Sequence, residues 1–215
     1  MGSSPAKEQR TDRRAKVEQM RRAEAARDRR NRIITWTCSG AIVVGIVAGS
    51  WYFVQRVEEQ DRAQEVAAAK PVDGVKSFKD LSQNHVTTPV EYKMSPGVGG
   101  DHNPAWMNCN GDVYDKEIGE TNAVHSLEHG AVWITYTDKA KDSDVSALKE
   151  TAKKTPYTLL SPFPGQSSPI VLSAWGTQLG VDSADDPRVQ KFLDKYVQGE
   201  QTPEPGAACT GGMTA

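Results

Sequence analysis

Three patterns of hydrophobic and polar positions divide the chain. The longest is "IITWTCSGAIVVGIVAGSWYFV", Ile33 to Val54, with no charged residue over 22 positions. About 20 apolar residues in a helix cross a hydrocarbon core of about 30 Å, so the run predicts one transmembrane helix. A secretory leader fits less well, because its apolar region covers only about 7 to 15 residues. The second pattern is that of strands. "GAVWITYT", Gly130 to Thr137, is apolar on both faces, as in a central strand covered on two sides. "VEYKM" at Val90 to Met94 alternates, and "YTLLS" and "PIVLSAW" are two further strand candidates joined by a proline-rich loop.

The third pattern has helical spacing. Val145, Leu148 and Ala152 follow a candidate cap at Ser143. Val189, Phe192, Leu193, Tyr196 and Val197 form one stripe, opened by Asp186 and Pro187 and closed by Gly199. Strands outnumber helices and do not alternate strictly with them. The expected fold is therefore α+β: a small, mostly antiparallel sheet packed by two helices and preceded by one transmembrane helix. The organisation follows. Residues 1–32 form a basic cytoplasmic segment, 33–54 the transmembrane helix, and 55–75 a helical stalk and linker stopped by Pro71. Residues 76–199 form an extracytoplasmic α+β domain, and 200–215, "EQTPEPGAACTGGMTA" from Glu200, read as a flexible tail.

Charge orients this arrangement. The net −2 conceals eleven Lys or Arg against five Asp or Glu in residues 1–32, a balance of +6 that leaves −8 for the rest. Arg27, Arg29, Arg30 and Arg32 crowd one side of the apolar run, whereas Arg56 and Arg62 are interleaved with Glu58, Glu59 and Asp61. The bias places the N-terminus in the cytoplasm and the C-terminal domain outside, on a single-pass protein of the cell membrane. The basic segment's interspersed acids and lack of aromatics argue against nucleic acid as a partner. A membrane protein is the expected partner. Ala41, Gly45 and Gly49 recur every four residues, which also allows a homodimer through Gly45 and Gly49.

The chemistry concentrates in one window. "HNPAWMNCN" begins at His102, and "VHSLEHGAVW" follows from Val124. On a strand, His125 and His129 would lie about 13 Å apart and could not share an ion. On a short helix capped near Asn122 and stopped at Gly130, the i,i+4 pair can chelate. Histidine, cysteine and methionine together suit a soft or borderline ion, copper first and zinc second. The expected ligands are His102, Cys109, His125 and His129, with Asp101, Tyr114 and Glu128 as partners that fix the histidine tautomers. His85, isolated in "SQNHVTTP", is read as an ordinary polar residue.

Cysteine use leaves two outcomes open. Cys109 and Cys209 can oxidise to a disulfide outside the membrane, or Cys209 and Met213 can join the ligands of a copper ion. The expected function is a membrane-anchored metal-binding protein acting in metal handling or delivery. The opposing reading is a metal-free accessory or interaction subunit of a membrane complex. A smaller alternative is a zinc hydrolase, because His125, Glu128 and His129 fit H-x-x-E-H with Glu128 as general base. The short helix and strand-rich continuation weigh against it.

Taken together, "HNPAWMNC", Tyr114, "NAVHSLEHGAVWITY" and "LSAWG" resemble the bacterial domain of unknown function 3105 family over roughly Lys76 to Val197. The residues that match its pattern are His102, Asn103, Pro104, Trp106, Cys109, Tyr114, His125, Glu128, His129 and Gly130. The chain departs from the pattern where Asn110 stands between Cys109 and Gly111. The resemblance implies a single membrane span with an extracytoplasmic domain, widespread in actinobacteria, and implies no mechanism.

Overall fold

The computed structural model describes residues 71–214 continuously, together with helical positions scattered between 18 and 59. The chain divides between Asp61 and Arg62 into two units. Most of the predicted transmembrane run, and residues 60–70 of the predicted stalk and linker, lie outside the described residues. Among those that are described, no helix is long and apolar enough to cross a membrane. Trp51, Tyr52, Phe53 and Val54 are helical and exposed.

In the second unit, six strands form one sheet among the described residues: β1 (Lys76–Ser77), β2 (Asn110–Val113), β3 (Val132–Tyr136), β4 (Thr158–Pro162), β5 (Ile170–Ala174) and β6 (Thr177–Val181). Their order is β1-β6-β5-β3-β4-β2. The pairs β1/β6, β6/β5 and β5/β3 are antiparallel, whereas β3/β4 and β4/β2 are parallel. The sheet is thus mixed, which corrects the expectation of a mostly antiparallel one. The physical reason is the helix Asp142–Lys154 between β3 and β4. A crossover of that length returns the chain to the same end of the sheet, and the pairing becomes parallel.

Among the described residues three helices pack on the sheet, α1 (Glu120–Glu128), α2 (Asp142–Lys154) and α3 (Pro187–Tyr196), one more than the two expected. One core contains Val132, Ile134, Leu160, Leu172 and Leu179 with Leu148 and Ala152 of α2 and Phe192 and Leu193 of α3. The other contains Trp133 and Leu159 with Ala123, Val124 and Leu127 of α1. Successive β3 residues therefore serve opposite cores, which is why this strand reads as apolar throughout. The Asp186 side chain caps α3 by accepting from Arg188 N at 2.8 Å. Ser143 does not cap α2, since the helix opens one residue earlier and its N-cap is Lys141.

Two more expectations need correction. Val90 to Met94 form no strand: Val90, Tyr92 and Met94 are half-buried in alternation, but no neighbouring strand takes their backbone. The segment 200–214 is not a loose tail. Cys209 is bonded to Cys109, Met107 and Met213 form a parallel bridge, and Glu204 N donates to Glu128 O at 3.0 Å. Its polar, proline-rich composition predicts disorder only for a chain with no covalent tie. A bulge interrupts the pairing of β2 with β4: Asn110 and Asp112 pair with the consecutive residues Thr158 and Leu159. Gly111 carries the distortion at φ +85°.

Candidate metal centre

Two pieces of chain build the site. Helix α1 presents His125, Glu128 and His129 on one face, because residues three and four apart lie over one another. The helix is held by its apolar face, with Ala123, Val124 and Leu127 fully buried. Opposite, His85 and His102 form a short parallel bridge in which Val86 N donates to His102 O at 2.7 Å and His102 N donates to Asn84 O at 3.0 Å. These two contributions bring His85, His102, His125 and Glu128 together, one ligand atom from each lying within 4.8 Å of the others.

Backbone carbonyls set the histidine tautomers. A carbonyl oxygen only accepts, so each ring nitrogen bonded to one must carry the proton. His102 Nδ1 donates to Gly100 O at 2.7 Å, His125 Nδ1 to Asn103 O at 2.6 Å, and His129 Nδ1 to Ala208 O at 2.8 Å. In their neutral form all three rings then keep Nε2 as a free lone pair. Gly100 has φ +111°, backbone open to glycine, and this sets the carbonyl that holds His102. Burial pushes the His125 ring down to a pKa of about 4, and burial also lowers His129. His125 is consequently uncharged at neutral pH.

The centre of the group holds an unresolved polar pair. His102 Nε2 and Glu128 Oε2 lie 2.9 Å apart, with side chains 0% and 2% exposed. The separation would suit a hydrogen-bonded ion pair, yet neither atom has a hydrogen-bond partner among the described residues. Two buried polar atoms thus converge without a hydrogen bond among the described residues. Such an arrangement is costly unless a cation occupies the space in front of both.

The ligand expectations fare unevenly. His102 and His125 belong to the group. His129 stays outside it: its ring lies 4.6 Å from that of His125, and its Nε2 lies 3.8 Å from Glu204 Oε2. Cys109 is not available as a thiolate, because its sulfur is bonded to Cys209. Glu128, expected to support a histidine, is itself in the group, and His85, read as an ordinary polar residue, completes it. One sequence signal pointed to His85: all four histidines of the 215-residue chain fall between 85 and 129. Tyr114 instead donates to Asn108 O at 2.8 Å, beside the disulfide. Asp101 accepts from Asn84 Nδ2 at 2.9 Å, and hydrogen bonds from Ser82 and Asn84 hold its carboxyl below the usual range. The indole rings of Trp106 and Trp175 wall the rings of His125 and His102 at 5.7 and 5.8 Å.

Fold and site define an α+β domain with a histidine–carboxylate cluster of three buried residues and one exposed histidine. Residues 85–211 match the family described as "Protein of unknown function (DUF3105)", and the chain belongs to that family. The match covers β2 to β6 and reaches through Cys209 of the disulfide-tied segment. No curated protein and no solved structure matches the chain.

Proposed function

We propose that this protein binds a single divalent ion of borderline softness, Cu(II) or Zn(II), through His85, His102, His125 and Glu128. The convergence of His102 Nε2 and Glu128 Oε2, both buried and both without a hydrogen-bond partner among the described residues, carries the reading. Imidazoles with Nδ1 tied to carbonyls are oriented in the manner of metal ligands. The donor set also narrows the ion. Thiolate and thioether ligands would favour Cu(I), whereas three imidazole nitrogens and one carboxylate oxygen suit Cu(II) and Zn(II). Tetrahedral ligands about 2.0 Å from zinc lie about 3.3 Å from each other, so the closest pair, 2.9 Å apart, would widen slightly and the pairs up to 4.8 Å apart would draw in.

In this proposal the domain stands outside the cell membrane and acts in metal handling or delivery to a membrane protein. The charge-free run from Ile33 to Val54 and its basic flank support the anchor. A disulfide between Cys109 and Cys209 suits an oxidising compartment. Gly45 and Gly49 would permit close approach of a second copy. The test takes the full chain in mild detergent, stripped with a chelator and loaded separately with Cu(I), Cu(II) and Zn(II). Retained metal per chain is then measured by mass spectrometry after gel filtration. One ion held by the native chain and lost from His102→Ala and Glu128→Gln supports the site. No retained ion on a folded chain would leave the accessory-subunit reading in its place.

A further inference from the structure

The four residues of the cluster are not equivalent. His102 and Glu128 have side chains 0% and 2% exposed, and His125 as a whole is 4% exposed. The His85 side chain is 45% exposed. His102 and His125 are each held at Nδ1 by a carbonyl, at 2.7 and 2.6 Å. No carbonyl among the described residues holds Nδ1 of His85. Its ring rests on two others, stacked on His125 at 4.7 Å and edge-on to His102 at 4.8 Å, and its Nε2 lies 3.5 Å from Glu128 Oε2. Three ligands are therefore covered, two of them with their rings held by carbonyls, while the fourth is open to solvent and held by no carbonyl among the described residues.

Resting on the metal reading above, we propose that His85 is the exchangeable ligand through which the ion enters and leaves, and that the acceptor replaces it with an imidazole nitrogen of its own. A buried ligand with a hydrogen-bonded ring can leave only if the surrounding structure opens, whereas an exposed ring leaves by rotation about its own side-chain bonds. The step balances without redox chemistry. As the acceptor's nitrogen lone pair forms its bond to the ion, the bond from His85 Nε2 breaks, and one neutral imidazole replaces another. No proton or electron moves. The backbone of His85 stays in place because Val86 N and Asn84 O make the hydrogen bonds to His102. Replacing its side chain therefore leaves the bridge intact.

Cobalt(II) is the probe, since its visible absorption reports coordination number. The full chain and the variants His85→Ala, His85→Gln and His102→Ala are loaded with Co(II), and folding is checked by circular dichroism. The proposal expects one cobalt per chain in both His85 variants, and none retained after gel filtration in His102→Ala. It expects added imidazole to change the His85→Ala spectrum saturably towards that of the native chain. It also expects cobalt to pass to a colorimetric chelator at least tenfold faster from His85→Ala than from the native chain. Loss of cobalt from the His85 variants to the same extent as from His102→Ala would overturn the proposal, as would an unchanged transfer rate. A native chain that binds no cobalt, zinc or copper would overturn the metal reading itself.

Discussion

Replacing both Cys109 and Cys209 with serine removes a crosslink whose ends are 100 residues apart in sequence. Chain entropy sets the magnitude. Closing a loop of that size restricts the unfolded ensemble by about 4.7 kcal/mol at 25 °C, a large part of the roughly 5–15 kcal/mol that stabilises an ordinary domain. The native side loses little in compensation, since the Met107–Met213 bridge and the Asn108 and Glu204 backbone bonds do not need the sulfurs. Urea unfolding followed by tryptophan fluorescence suits the measurement, because Trp133 is fully buried. With a slope of about 2 kcal/mol/M, the expected loss moves the midpoint down by about 2 M. The slope should also rise, as the unfolded chain becomes free to expand. An unchanged midpoint in the double variant, measured on protein shown to be oxidised in the native form, would refute the reasoning.

Two other expectations concern stability. His125 titrates near 4 in the folded protein against 6.5 ordinarily, so the unfolded chain takes up the proton first. The contribution of its neutral form is complete above pH 6.5 and is lost as pH falls towards 4, and the lowered His129 acts with the same sign. Allowing for water reaching the cluster at His85, the metal-free domain should lose about 2–3 kcal/mol between pH 7 and pH 4 in urea titrations. Equal or greater stability at the lower pH would contradict this. Gly111→Ala forces a side chain into φ +85° with its Cβ 3.0 Å from Ala152 O, and should cost at least about 1–2 kcal/mol in the same assay. A neutral substitution there would mean that the bulge relaxes freely.

How much was legible in the sequence depended on the range of the interactions. β3 and α3 were readable because their signals are local: an apolar run covered on both sides, and a cap, a proline and one stripe. Val90 to Met94 misled because alternation reports alternate burial, which a loop lying over a core also produces. The parallel pairing of β2 with β4 joins residues more than 40 positions apart and leaves no periodic trace. The site divides in the same way. His125 and Glu128 lie on one helical turn and were visible as a motif. His85 reaches them from a loop without periodicity, so only the concentration of histidines hinted at it. The competition between thiolate and disulfide for Cys109 is a matter of tertiary proximity, set by a backbone bond from Cys109 N to Cys209 O at 2.8 Å.

The central claim is most directly tested by the X-ray absorption spectrum of the zinc-loaded full chain at the metal edge. The proposal predicts a shell of nitrogen and oxygen at about 2.0–2.1 Å, outer scattering from three imidazoles, and no sulfur at about 2.3 Å. His85→Ala should remove one imidazole from the outer shell. A sulfur shell, or an ion surrounded only by oxygen, would contradict the assignment of His85, His102, His125 and Glu128 as the ligands.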